Sequence, residues 1–273
     1  MRIDLQLHAA GVLAPGIASL ADLLALSRTG VHNGAGDQPL ASPAALPPNE
    51  RRRASQVVRL TLACAEQALR GAAFAGSDVR TVFASDEGTG EVCQQMLEAL
   101  ATTRMLSPLL FHNSVHNAPS GYFSIAHRNR QSATSVSLGA DSFAAGLLCA
   151  AAEARCSGQP VLFLSYDPAM TEPMRSLLPV AHATATAWTL SAPPTPNGSP
   201  PALAALTLEL QDGSAQVDAL PVWAAPWAVN SSARALHALA VVAGADPEPA
   251  SVTLAVGGCR LRIARAPQGG APC

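Results

Sequence analysis

Two histidines four residues apart are the first feature of this sequence that could do chemistry. His112 and His116 have the spacing at which two imidazoles on one face of a helix can bind a metal ion. No third ligand stands nearby in the sequence, and Pro119 comes soon after the pair. The sequence therefore predicts no metal site.

Carboxylates and a hydroxyl give three further signals, each of them weak. Asp86 and Glu87 follow a β-branched run, but adjacent carboxylates in a turn rarely converge on one ligand, so we interpret them as a solvated turn. Ser120 lacks the flanking glycines of the Gly-x-Ser-x-Gly nucleophile turn. Asp141 and Ser142 stand where a helix is predicted to begin and are residue types that cap a helix.

The elements that must position these side chains alternate between strands and helices. Strands are predicted at 3–12, 79–84, 133–138, 160–165 and 203–210, with a further short one at 217–223 and a terminal strand or hairpin at 252–263. Helices are predicted at 20–27, 49–71, 91–103, 120–127, 141–155 and 230–243, the last capped by Asn230 or Ser231. The Gly- and Pro-rich stretches 30–48 and 192–201 are predicted loops. Strands separated by helices imply a mostly parallel sheet covered by helices.

Two blocks of the chain have a distinctive sequence. Residues 111–126 read FHNSVHNAPSGYFSIA, and residues 136–147 read VSLGADSFAAGL. Together with LPP at 46–48 and RRR at 51–53, these blocks resemble the N-terminal half of the β-ketoacyl synthases. More narrowly, they resemble the short β-ketoacyl synthase-like chain length factors found with aryl polyene and related pigment pathways.

This resemblance implies an α/β, thiolase-like fold equivalent to the N-terminal half of a ketosynthase. Residues 1–212 would form the ketosynthase-like domain. Residues 213–273 would form a short C-terminal addition, a helix and a strand packed on the same domain.

In an active ketosynthase, a strand ends in a short turn that carries a cysteine, and a helix begins directly after it. The helix dipole favours the thiolate and so activates it. The resemblance places this turn at 136–142, where the following helix aligns Ala140 with the nucleophile and a shift of one residue aligns Asp141. Neither is a thiol, and neither histidine after residue 127 lies in a segment like those that carry the family's two catalytic histidines. We therefore expect no catalytic residue.

The function implied by the resemblance is that of a silent partner subunit. The chain would pair with an active β-ketoacyl synthase and shape the tunnel that receives the growing acyl chain. It would need no cofactor, because the acyl-phosphopantetheine of an acyl carrier protein would reach it only through the partner. The candidate tunnel or interface residues are Ser114, His116, Asn117, Phe123, Val136, Ser142 and Phe143.

The resemblance also implies that the strand at 133–138 pairs with its equivalent in the other subunit. Phe123 and Phe143 are either tunnel walls or ordinary core aromatics. Two other functions stay open. One is an independent acyl-transferring or thioester-hydrolysing enzyme that uses Asp141 or a histidine as base. The other is a scaffold that only stabilises its partner.

Composition sets the wider limits on function. Of the 273 residues, 49% are hydrophobic and 13% charged, which favours a protein with apolar contact surfaces unless the abundant alanine accounts for it. The net charge of −2 offers no basic excess for nucleic acid. The six cysteines form no CxxC pair and predict reduced thiols, and no apolar stretch predicts a signal peptide or a membrane span. We expect a cytoplasmic protein.

Overall fold

A computed structural model of the chain describes residues 1–30, 41–193, 201–213, 217–244 and 250–266. Its helices are α1 (Leu20–Thr29), α2 (Pro48–Arg53), α3 (Gln56–Ala72), α4 (Gly90–Thr102), α5 (Pro108–Asn113), α6 (Ala118–His127), α7 (Ser142–Ser157) and α8 (Ala233–Ala243). Its strands are β1 (Arg2–Leu13), β2 (Arg80–Ala84), β3 (Ala133–Val136), β4 (Val161–Asp167), β5 (Thr184–Ser191), β6 (Ala204–Asp212), β7 (Ser251–Val256) and β8 (Cys259–Arg265). The predicted loops at 30–48 and 192–201 lie partly outside the described residues.

The strands form one eight-stranded sheet in the order β3-β2-β4-β5-β1-β6-β8-β7. The predicted α/β class is confirmed, but the predicted mostly parallel sheet is wrong. Only β3–β2 and β2–β4 are parallel, and the other five neighbouring pairs are antiparallel. The reason is that a crossover helix is needed between parallel neighbours. Helices cross over from β2 to β3 and from β3 to β4, whereas β5 returns beside β4 after a single 3-10 turn.

Helices cover the two faces of the sheet unequally. On one face, α1, α7 and α8 bury a continuous apolar core that reaches from β2 to β7. On the other face, α3 and α6 cover a second core over β2, β4 and β5. Helix α3 approaches β1 so closely that a Cβ at Gly11 would lie 2.2 Å from the Cys64 carbonyl oxygen, so glycine is required there.

Three local predictions are corrected by the structure. The strand predicted at 217–223 is wrong, since the regular structure there is a 3-10 helix at Val222–Trp227. The helix predicted from 49 to 71 is two helices, because Ser55 accepts a hydrogen bond from the Val58 amide and so begins a new one. Helix α8 begins at Ala233, and Asn230 does not cap it but donates to the His182 carbonyl oxygen.

The C-terminal segment continues the sheet of the rest of the chain. Strand β8 pairs antiparallel with β6, and β7 pairs antiparallel with β8 at the end of the sheet. Strands β7 and β8 form the hairpin predicted around residues 257 and 258. The apolar residues of α8 lie in the same core as those of α7. The described residues after 212 therefore share with residues 1–212 the core that α1, α7 and α8 cover.

Candidate functional site

The turn between β3 and α7 contains the candidate nucleophile position. Its polar groups form hydrogen bonds with one another. The Ser142 hydroxyl accepts from the Leu138 amide at 2.8 Å and donates to the Gly139 carbonyl oxygen at 2.6 Å. The Asp141 amide donates to the Leu138 carbonyl and the Ser142 amide to the Gly139 carbonyl, at 3.1 and 3.0 Å. An oxyanion hole needs backbone N–H groups that point at the reacting oxygen. These two N–H groups point back into the turn instead.

Ala140 and Asp141 lie side by side in this turn, without a ligand-sized space beside them. Ala140 is exposed, and the Asp141 carboxylate accepts a hydrogen bond from the Gly257 amide at 3.0 Å. Asp141 occupies the predicted cap position of α7, but its side chain makes no capping hydrogen bond. The cavity between Ala140, Phe143 and β7 measures about 40 Å³, far below the roughly 300–1,000 Å³ of ordinary ligand pockets.

The two candidate tunnel phenylalanines lie in the two cores, on opposite faces of the sheet. Phe143 is fully buried and packs against Phe163 and Trp188, with both ring centroids 5.8 Å away. Phe123 is also fully buried and packs against Phe83 on the other face, at 6.1 Å. Of the two interpretations that the sequence leaves open, these contacts favour ordinary core aromatics.

The polar candidates at 114–117 hold the chain between α5 and α6 against the turn that follows β2. The Ser114 carbonyl accepts from the Thr89 hydroxyl at 2.8 Å, and the His116 ring lies 3.3 Å from the Ser85 carbonyl oxygen. Asn117 directly precedes α6 and accepts from the Ser120 hydroxyl through its carbonyl oxygen. Within the described ranges, no three His, Cys, Asp or Glu side chains come together as metal ligands.

A buried aspartate that the sequence analysis did not single out organises the carboxyl end of β4. One Asp167 oxygen accepts from the Ser85 hydroxyl and the Asp86 amide, at 3.2 and 3.0 Å. The other accepts from the Ser231 hydroxyl and the Ser232 amide, at 3.1 and 2.8 Å. Asp167 is fully buried and thus ties the turn before α8 to the sheet. The sequence signal for this residue is an aspartate at the end of a mostly apolar strand.

The acidic turn after β2 is half-buried, so its interpretation as a solvated turn is wrong in part. Burial raises the pKa of Asp86 from its ordinary value, and the negative charge of Asp167 raises it further. Burial likewise raises the pKa of Glu87, with further contributions from the charges of Asp86 and Asp167. These carboxylates repel one another, and neither forms a salt bridge among the residues that the structure describes.

Exposed apolar side chains lie on α5, on α6, which contacts β3, and in the turn after β3. Among the described strands, β3 pairs with β2 alone. Phe111 is 63% exposed, Ile125 52%, Leu138 48% and Val115 46%. A groove of about 380 Å³ between α5 and α6 is lined by Phe111, His112, Val115, Asn117, Ala118, Gly121, Tyr122 and Ile125. We call this space the α5–α6 groove. Of the sequence candidates, it contains Asn117; its exposed phenylalanine, Phe111, was not predicted.

Comparison with known proteins settles the family. Residues 27–240 match the family described as Beta-ketoacyl synthase, N-terminal domain. The chain belongs to this family. The match extends beyond residue 212 and ends at residue 240, within α8. A search of curated proteins found no significant match.

Solved structures show the same thiolase-like α/β fold along almost the whole chain. A chain of the complex "Ketosynthase (ApeO) in Complex with its Chain Length Factor (ApeC) from Xenorhabdus doucetiae" is 23% identical, with a TM-score of 0.71, over 96% of this chain and 100% of that one. A chain of "The ishigamide ketosynthase/chain length factor" is 16% identical, also with a TM-score of 0.71, over 96% and 98%. A chain of the complex "AntDE:AntF (apo): type II PKS acyl-carrier protein in complex with its ketosynthase bound to the hexaketide" is 10% identical, with a TM-score of 0.73, over 97% and 99%. Among the residues described here, no helix is long and apolar enough to cross a membrane.

Proposed function

We propose that this chain is the non-catalytic, chain-length-factor-type partner of an active β-ketoacyl synthase. The observation that carries the proposal is the turn between β3 and α7. There the family layout puts Ala140 or Asp141 at the nucleophile position, and the turn uses its own N–H groups. The likeness to chains from two complexes whose titles pair a ketosynthase with a chain length factor supports the same role.

The partner would bind at the open edge of the sheet. Strand β3 is an end strand of the sheet that the described residues form, and such an edge readily accepts a strand from another chain. Exposed apolar side chains beside it, Phe111, Ile125 and Leu138 among them, form the kind of surface that marks a protein contact. The ketosynthase would add an antiparallel strand at β3 and cover the α5–α6 groove.

The ligand in this arrangement would be an acyl chain held by the ketosynthase. Its thioester would arrive on the phosphopantetheine of an acyl carrier protein. This chain would line part of the tunnel for the acyl chain and would catalyse no step. We propose polyene-type products of an aryl polyene pathway, and a cytoplasmic location, where the described free cysteines would stay reduced. Asp141, which an independent hydrolase or acyltransferase would use as base, instead binds the Gly257 amide.

Co-expression with a candidate β-ketoacyl synthase from the same genome tests the pairing. We expect a complex with one copy of each subunit that survives size-exclusion chromatography. We also expect the product length of the complex to change when Phe111 is replaced by smaller residues. A complex whose products are unaffected by every substitution in the α5–α6 groove would support the scaffold instead. Absence of a complex would contradict the partner role.

A further inference from the structure

The second edge of the sheet, strand β7, has a regular pattern of outward-facing backbone groups. The β7–β8 hairpin closes at the pair Val256 and Cys259 across a two-residue turn. In an antiparallel pair, backbone groups alternate between facing the neighbour and facing away. The N–H and C=O groups of Ser251, Thr253 and Ala255 therefore face away from β8. Thr253 is the central residue of this free edge.

Two aspartates from elsewhere in the chain occupy this edge. Asp218 forms hydrogen bonds with both backbone polar groups of Thr253. Its amide donates to the Thr253 carbonyl at 2.9 Å, and its carboxylate accepts from the Thr253 amide at 2.8 Å. Asp141 accepts from the Gly257 amide at 3.0 Å, in the turn at the end of the same strand. The cavity of about 40 Å³ beside Asp141 is lined by Val217, Leu254 and other side chains.

Bonds of this kind decide whether an edge strand can take another chain. A strand that added to β7 would need the Thr253 N–H and C=O groups for its ladder. It would first have to displace Asp218 and break both of its hydrogen bonds to Thr253. The Asp141 bond holds the hairpin turn in place beside α7. Strand β3, at the other end of the sheet, has no comparable carboxylate in any hydrogen bond of the described residues.

We propose that Asp141 and Asp218 form an edge lock that prevents β7 from pairing with a second chain. The sheet can then be extended only at β3, so assembly stops at a closed pair instead of growing into a filament. Asp141 thus has a structural use at the position where the family carries its nucleophile. The lock concerns the β7 edge alone, so its test is independent of the proposed pairing with a ketosynthase.

Alanine substitutions with light scattering test the lock on the isolated full chain. Asp141→Ala with Asp218→Ala should give species of larger mass than the wild type as the concentration rises. Asp212→Ala is the control for each single substitution, because it removes one negative charge from an exposed position at the end of β6. Adding Thr253→Pro to the double variant should restore the wild-type mass, because proline removes the edge donor. A folded double variant of unchanged mass would overturn the proposal.

Amide hydrogen exchange on the wild-type protein tests the lock without relying on any variant. The Thr253 and Gly257 amides should exchange at least about tenfold more slowly than those of Ser251 and Ala255, since only the former have carboxylate partners. Equal exchange rates at Thr253 and Ala255 would show that the lock does not form in solution. That result would overturn the proposal even if the double variant failed to fold.

Discussion

Replacing Phe143 by alanine distinguishes a core aromatic from a wall of the acyl tunnel. The side chain is fully buried, its ring packs against Phe163 and Trp188, and the cavity that it lines measures about 40 Å³. Loss of a buried phenylalanine costs about 3–5 kcal/mol of unfolding free energy, because the void is not refilled. The upper part of that range applies here, since Gly146 already packs tightly against Phe163 and Ala84 and the site has little room to collapse.

A thermal melt of the isolated chain measures this cost. In a protein of this size each kcal/mol lowers the melting temperature by roughly 2–4 °C, so Phe143→Ala should lower it by about 10 °C or more. Phe111→Ala is the matched control, because that ring is mostly exposed and its loss should change stability by less than about 0.5 kcal/mol.

The two variants should show the opposite order in the reconstituted complex. Phe111→Ala should weaken ketosynthase binding by about tenfold, as loss of an aromatic contact at an interface does, or change product length. Phe143→Ala should lower the yield of folded complex and leave product length unchanged. The reasoning is refuted if Phe143→Ala melts within about 2 °C of the wild type, a shift under roughly 1 kcal/mol, and the complex makes longer products.

Three further predictions follow from the same contacts. Ser135→Pro should abolish co-elution with the ketosynthase while Ser135→Ala retains it, because the backbone groups of Ser132 and Val136 bond to β2 and those of Ser135 therefore face the outer edge; if the folded proline variant still co-elutes, the partner binds elsewhere. Asp167→Asn should lower the unfolding free energy in urea by about 2–4 kcal/mol, because an amide nitrogen cannot accept from the Ser231 hydroxyl and the Ser232 amide; a loss below roughly 0.5 kcal/mol would contradict the assigned network. Glu87→Gln should stabilise the protein at neutral pH, because a carboxyl whose folded pKa is raised loses stability as pH rises through that pKa. The gain should vanish in urea titrations at pH values below the ordinary glutamate pKa, and a gain that persists there would refute its electrostatic origin.

The sequence predicted those parts of the fold that local pattern determines. The amphipathic period of α3, the β-branched run of β2 and the glycine pair of the β7–β8 turn each specify their element without help from the rest of the chain. Strand β5 was not predicted, although it lies at the centre of the sheet. Its Thr-Ala-Thr-Ala start carries little apolar contrast, because both of its faces are buried by helices that come from distant parts of the sequence.

The candidate site was predicted in position but not in surroundings. Family resemblance placed Ala140, Asp141 and Ser142 in a turn between a strand and a helix, and the structure has them there. The partners of these residues lie far along the chain, such as Gly257 for Asp141, and no local pattern can indicate contacts of that range. Exposure is likewise a property of the whole fold. For this reason Phe123 was chosen from the sequence as a candidate wall, although Phe111 is the ring at the surface.

Intact-protein mass spectrometry of the reconstituted pair tests the central claim most directly. The complex is incubated with acyl and malonyl thioesters, and both subunits are weighed after each interval. We predict a stoichiometric acyl adduct on the ketosynthase and an unmodified mass for this chain. Ala140→Cys alone should not give the isolated chain condensation activity, because a decarboxylative condensation also needs groups that stabilise the enolate. A stoichiometric acyl adduct on the wild-type chain, mapped to residues 136–142, would contradict the account.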